Sequence, residues 1–78
     1  MTVIEIRIQL NEGVADPESK NIKKTLESMG FEIGEVKTSK VYEIEIDGNE
    51  SEAIIEGVEM SKKLLANPVI QTFNITVR

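Results

Sequence analysis

The chain begins with an alternating stretch, TVIEIRIQL at residues 2–10, and this stretch decides the fold class. Isoleucine or leucine occupies every second position from Ile4 to Leu10, and the positions between them are mostly polar. A period of two with β-branched residues predicts a strand with one buried face. The turn-forming residues Asn11-Glu12-Gly13 end this strand. The buried face has to be covered by elements that come later in the chain.

Two later segments have the helical spacing of apolar residues. Asp16 suits an N-cap and Pro17 suits the first helical position, so a first helix is expected from here to Met29, with Gly30 as its stop. A second helix is expected to begin at Asn49, which forms a capping pattern with Glu52. The Asn67-Pro68 pair is expected to end it, with Asn67 in the left-handed conformation. The predicted apolar stripe of this helix contains Ile54, Val58, Ser61 and Leu65.

Three further strands are predicted. Phe31–Ser39 and Val41–Asp47 would form a hairpin around Ser39-Lys40, and Gln71–Arg78 would form the last strand. The resulting order, β-α-β-β-α-β, is that of ferredoxin-like folds. We therefore expect one α+β domain over residues 1–78, with a four-stranded antiparallel sheet and both helices on one face. A chain of 78 residues has no room for a second domain.

The residue types exclude several chemistries. The chain has no cysteine and no histidine, which excludes disulfides, ordinary zinc or haem sites and histidine-based nucleophile pairs. Glu43 and Glu45 share one strand face and could form an acid/base pair, although a solvated sheet face is the favoured interpretation. The glycines form no phosphate-binding loop. We expect no catalytic residue, no cofactor and no bound metal.

The charge balance bears on partners and compartment. A net charge of −5 argues against nucleic acid and anionic membranes. No apolar run approaches the roughly 20 residues of a membrane-spanning helix, and charges lie where a signal peptide needs apolar residues. We therefore expect a cytoplasmic protein. A lysine cluster could receive a phosphate or an acidic partner, although a solvated helix face is favoured: it contains Lys20, Lys23 and Lys24.

Small domains often gain stability by self-association. Gly57 lies inside the second helix, where it indicates close helix packing or, less favoured, close approach by a partner chain. Several apolar residues at element ends have no place in a two-helix core. We expect a dimer or tetramer that forms through sheet edges and element ends, with a second shared core built from Val14, Phe31, Ile33, Val69 and Ile70.

Four motifs in register carry a resemblance to a known family. They are KLLANPVI at 63–70, Asp16-Pro17 before the first helix, LESMG at 26–30, and Lys40 ahead of EIEI at 43–46. In these motifs the chain resembles the PurS family, the small accessory subunit of phosphoribosylformylglycinamidine synthase. It departs from the family at Ser39, where glycine is typical.

The resemblance implies a self-associating ferredoxin-like subunit without catalytic residues of its own. Such a subunit would bridge an ATP-dependent synthetase subunit and a glutaminase subunit, so that glutamine-derived ammonia forms the amidine in purine biosynthesis. The candidate partner-interface or motif residues are Asp16, Pro17, Lys40, Asn67, Pro68, Val69 and Ile70. The alternative is an ACT-like module that senses a small molecule and shares this element order. Gly13 would mark its effector loop, but residues 11–14 do not resemble such a loop closely.

Overall fold

The computed structural model describes all residues from Met1 to Arg78. It has two helices and three strands, which confirms the α+β class. The helices are α1 (Pro17–Ser28) and α2 (Glu50–Met60), and α2 continues into one turn of π-helix (Ser61–Leu65). The strands are β1 (Thr2–Leu10), β2 (Ser39–Ile46) and β3 (Gln71–Val77).

Strand β1 lies at the centre of the sheet and is antiparallel to both neighbours, in the order β2-β1-β3. The register places Ile6 of β1 between Tyr42 and Ile75. The predicted alternation of β1 is confirmed, because Ile4, Ile6 and Ile8 are all buried.

The predicted four-stranded sheet is wrong, because residues 31–38 form no strand. Ser39 and Lys40, the residues expected to make a hairpin turn, are themselves paired with Gln9 and Ile8 of β1. No residues therefore remain between Thr38 and β2 to form the turn of a hairpin. The outer edge of β2 therefore has no partner strand, and residues 32–38 make no backbone hydrogen bond.

Helix α1 does not share the sheet face with α2, contrary to expectation. Only α2 packs substantially on the sheet, against β1 and β3. The apolar side chains at the end of α1 lie in solvent, with Met29 66% and Phe31 54% exposed. The chain is correspondingly elongated, with extents of 49 × 25 × 14 Å. The predicted boundaries of α1 are nevertheless correct. Asp16 caps the start of the helix, and Gly30, with a φ of 98°, follows its end.

Helix α2 contacts the sheet mainly through small residues. Of the predicted apolar stripe, Ser61 is buried and Leu65 packs against the core. Ala53, Gly57 and Ser61 are buried, whereas Ile54 of the predicted stripe is 42% exposed. A Cβ atom on Gly57 would lie 2.6 Å from Cδ1 of Ile4 and 3.2 Å from Cδ1 of Ile75. This distance confirms close helix packing as the role of Gly57. None of the helices has the length and apolar character needed to cross a membrane.

Candidate partner interface

The loop that joins α2 to β3 begins with the π-helical turn. The backbone N–H of Ala66 donates to the carbonyl of Ser61 at 2.9 Å, five residues earlier. The buried hydroxyl of Ser61 donates to the carbonyl of Gly57 at 2.8 Å. The wider turn directs Leu65 and Ala66 to the core, while Leu64 remains 83% exposed. Single π turns of this kind are frequent at functional sites.

Asn67 organises the rest of this loop. Its side-chain Oδ1 accepts a hydrogen bond from the N–H of Val69 at 3.0 Å, and its carbonyl accepts from Gln71 N at 2.8 Å and Ile70 N at 3.2 Å. Its own N–H donates to Oε1 of Gln71 at 2.7 Å. The expected left-handed conformation of Asn67 is wrong, because no residue other than glycine has a positive φ. Asn67 acts through its side-chain acceptor instead.

Asn11 attaches this loop to the end of β1. Its N–H donates to the carbonyl of Ile70 at 2.8 Å, and its Nδ2 donates to the carbonyl of Val69 at 3.4 Å. From the sequence, Asn11 was predicted only to end a strand. A chain position at a strand end does not reveal a partner 58 residues away, so this role could not be found from local pattern.

The loop presents apolar side chains to solvent. Val69 is 80% exposed and Pro68 is also exposed, while Ile70 is at the limit between half-buried and exposed. Lys62 and Lys63 precede them, and Lys63 Nζ lies 3.7 Å from a carboxylate oxygen of Glu59. Leu64 was expected beside the apolar stripe of the second helix, but it is exposed to solvent. The loop is a hydrogen-bonded turn that exposes apolar side chains next to two lysines.

Asp16 and Pro17 form the start of α1. Oδ1 of Asp16 accepts from the N–H of Ser19 at 3.2 Å, and Oδ2 accepts from the hydroxyl of Thr38 at 2.8 Å. The hydroxyl of Thr38, followed by the N–H of Ser19, holds the pKa of Asp16 below its ordinary value of 3.8, because both donors favour the charged carboxylate. Pro17 is the first helical residue. Thr38 was missed in the sequence because its partner is 22 residues away.

The Asp16–Thr38 contact forms one wall of an open cleft of about 590 Å³ between the β1–α1 loop and residues 34–38. Its ionic lining is balanced: the cationic side chains are Lys20, Lys23 and Lys37, and the acidic ones are Glu12, Asp16 and Glu35. Lys24 of the predicted lysine cluster lies outside it. A balanced lining favours neither a phosphate nor another anion.

Lys40 lies near the start of β2, where its Nζ is 5.2 Å from the centre of the Tyr42 ring, within the range of a cation–π contact.

On the opposite face of the sheet, Glu43 accepts a hydrogen bond from Arg78, and both side chains are exposed. Glu43 is thus engaged in a surface ion pair, which favours a solvated face over an acid/base pair with Glu45. No group of three or more side chains is arranged to hold a metal ion.

All the candidate residues lie towards one end of the sheet. Lys40 is opposite Ile8, and Gln71, which follows the Asn67 loop, is opposite Leu10. Asp16 is held to Thr38, two residues before Lys40. The structure therefore groups the motif residues near the Leu10 end, in two sets: Asp16, Pro17 and Lys40 around the starts of α1 and β2, and residues 67–70 in the α2–β3 loop.

Comparison with known proteins identifies the family. Residues 3–78 match the model of the family described as PurS, phosphoribosylformylglycinamidine (FGAM) synthase. The chain is 45% identical over 78 residues to the phosphoribosylformylglycinamidine synthase subunit PurS of Archaeoglobus fulgidus, covering 97% of this chain and 98% of the relative. The crystal structure of Methanocaldococcus jannaschii PurS is similar with a TM-score of 0.92 and 40% identity, covering 100% of this chain and 96% of that one.

A structure of Bacillus subtilis PurS is also similar, with a TM-score of 0.88 and 30% identity, covering 100% of this chain and 99% of that one. The agreement includes the open arrangement of α1, since it extends over the full chain. These similarities disfavour the alternative of an ACT-like sensor. The match spans the sequence and the fold from end to end, and the chain belongs to the PurS family of FGAM synthase.

Proposed function

We propose that this chain is the small, non-catalytic subunit of FGAM synthase in de novo purine biosynthesis. As a single domain over residues 1–78, it would bring the ATP-dependent synthetase subunit and the glutaminase subunit together. The Methanocaldococcus jannaschii relative is described as one of the subunits of formylglycinamide ribonucleotide amidotransferase in the purine biosynthetic pathway. In this role the chain keeps the ammonia source and the ammonia consumer in one complex. Its cytoplasmic location stays a prediction.

The observation that carries this proposal is the amount of unpartnered surface in the isolated chain. Helix α1 does not pack substantially on the sheet, and the outer edge of β2 has no partner strand. Residues 32–38 leave their backbone groups without intramolecular hydrogen bonds. An open strand edge can pair with another chain, and apolar side chains gain about 25 cal/mol per Å² of apolar surface removed from water. A fold of this kind is completed by other chains.

Self-association is the first part of the proposed assembly. The free edge of β2 is bordered by the half-buried side chains Tyr42 and Ile44, which lie on the same face of the sheet as the core. A second copy that meets this edge would supply backbone partners and cover these side chains. We propose a dimer or tetramer with this edge at its interface, joined by apolar residues at element ends such as Phe31.

The candidate residues fall into two groups within this proposal. Asp16, Pro17 and Lys40 lie around the start of α1 and β2, close to the proposed self-association edge. The Asn67–Ile70 loop lies beyond the other side of β1, next to β3. We propose that the first group shapes the contact between copies, and that the second group faces another subunit.

Reconstitution tests the proposed function. Purified synthetase and glutaminase subunits are mixed with and without this chain, and glutamine-dependent amidine formation is measured. We expect substantial amidine formation from glutamine only in the complete mixture, whereas the synthetase supplied with ammonium salt should work in both. Equal glutamine-dependent rates with and without this chain would overturn the proposal.

A further inference from the structure

The α2–β3 loop holds two apolar side chains in water within a rigid frame. Leu64 and Val69 are 83% and 80% exposed, and only five positions separate them. The frame consists of the π-helical turn, the hydrogen bonds of Asn67 and the attachment to Asn11. Because hydrogen bonds already fix the backbone of the loop, burying these side chains against a partner should cost the loop little conformational entropy. Rigid apolar groups of this kind are typical anchors of protein interfaces.

We propose that Leu64 and Val69, with Pro68 between them in the chain, form an apolar anchor. This anchor inserts into an apolar pocket on another subunit of the complex, and acidic side chains surround that pocket. This inference rests on the proposed function and deepens it, because it specifies which surface meets a different chain and what chemistry that chain presents. The anchor is defined as Leu64, Pro68 and Val69.

Charge decides between a different chain and a second copy. Lys62 has no ion pair, and Lys63 is paired only with Glu59 of its own chain at 3.7 Å, so the segment before the anchor, residues 59–63, has one formal positive charge in excess. A two-fold contact places the same surface against itself. Two copies meeting through the anchor would bring their Lys62 and Lys63 side chains together, which is unfavourable. A partner with carboxylates around an apolar pocket has no such conflict.

The position of the anchor supports the same choice. The proposed self-association edge is the free edge of β2, and β1 lies between β2 and β3, the strand that the anchor loop leads into. The two surfaces can therefore be occupied at the same time. A subunit that bridges other chains needs separate surfaces of this kind.

The test compares surface variants in binding to purified synthetase and glutaminase subunits, each immobilised separately. The double variant Leu64→Ser/Val69→Ser removes the anchor, and Ile55→Ser is the matched control, since Ile55 is an exposed isoleucine on α2. We expect the double variant to bind one of the two subunits at least about tenfold more weakly, because buried anchors account for most interface energy. The control should bind as the unmodified chain does. Lys62→Glu should weaken the same contact and reduce its dependence on salt.

Sedimentation and thermal melting of the same variants separate the possible failures. We expect unchanged oligomer size and melting temperature, because the altered side chains are exposed. A double variant that binds both subunits normally would overturn the anchor while leaving the proposed function intact. A double variant that falls apart into monomers would also overturn it, since the surface would then join copies of this chain. Failure of the unmodified chain to bind either subunit would instead contradict the proposed function.

Discussion

The backbone of Gly57 lies so close to Ile4 that a Cβ atom at position 57 would be 2.6 Å from Cδ1 of the isoleucine. Gly57→Ala gains up to about 1 kcal/mol of helix propensity. The new methyl group also displaces the end of the Ile4 side chain, which is fully buried and has little room to move, and such overpacking costs roughly 1–3 kcal/mol. We expect a net loss of stability, measured by urea unfolding.

A double-mutant cycle isolates this contact. Ile4→Val removes the Cδ1 atom that the new methyl group would meet, so Gly57→Ala should cost less in the Ile4→Val background than in the unmodified chain. Glu56→Ala is the control for helix propensity, because Glu56 is exposed on the same helix. Equal costs of Gly57→Ala in both backgrounds would mean that the Ile4 contact does not limit this position.

The hydrogen bond between Thr38 and Asp16 should make stability depend on pH at the acid end. The pKa of Asp16 is lowered in the folded chain, first by the Thr38 hydroxyl, so the carboxylate stabilises the fold above its ordinary pKa of 3.8. This stabilisation is lost as the pH falls through the lower, folded pKa. We expect Thr38→Val to be less stable than the unmodified chain at neutral pH. The difference should shrink towards the acid limit in unfolding experiments at a series of pH values.

Thr25 supplies the control for this pH dependence. Its hydroxyl donates to the carbonyl of Asn21 at 2.9 Å, and that acceptor does not titrate. Any cost of Thr25→Val should therefore stay constant over the same pH range. If the cost of Thr38→Val is equally constant, the hydroxyl does not act through the charge of Asp16.

Asn67 should be required for its side-chain acceptor. Asn67→Ala removes the hydrogen bond from Val69 N–H and should lower stability by about 1 kcal/mol, which a thermal melt can detect. Asn67→Asp keeps an acceptor oxygen and should retain most of the stability. Asn67→Gly should be no better than the alanine variant, because φ at this position is not positive. A glycine variant as stable as the unmodified chain would contradict the role given to the side chain.

Self-association should appear as melting that depends on concentration. If copies join at the β2 edge, the melting temperature should rise with protein concentration, because only the folded chain binds its partner. Tyr42→Ser should weaken this dependence, since Tyr42 lies beside the edge on the core face. Val41→Ser changes an exposed residue on the opposite face and should have little effect. A monomer at high micromolar concentration by sedimentation, with melting independent of concentration, would rule the assembly out.

The sequence alone was enough to predict the elements whose signals lie in neighbouring residues. Strand β1 and the start of α1 follow from alternation and from the Asp16-Pro17 cap, and Asn49 caps α2 by accepting from Glu52 N–H at 2.9 Å. These features depend on residues within a few positions of one another. The candidate motif residues were likewise found from the sequence, although their grouping near one end of the sheet required the register of the strands.

The errors arise where distant residues decide the structure. Phe31–Ser39 has strand-forming residues, but a strand also needs a neighbouring edge, and Ser39 and Lys40 are already paired with β1. The contact face of α2 was predicted only in part, because Ala53 and Gly57 are buried for their small size, which hydrophobic spacing does not register. Asn67 was expected to act through its backbone, whereas the N–H of Val69 binds its side chain.

The free edge of β2 has a further consequence before assembly. A strand edge that stays open after synthesis can also pair with identical edges and form fibrils, in which like residues stack about 4.8 Å apart. In β2, such stacking would place Glu43 on Glu43 and Glu45 on Glu45, with both carboxylates exposed. This repulsion disfavours in-register fibril growth, as charges on edge strands do elsewhere. Glu43 and Glu45 would therefore disfavour fibril growth by chains that have not yet assembled.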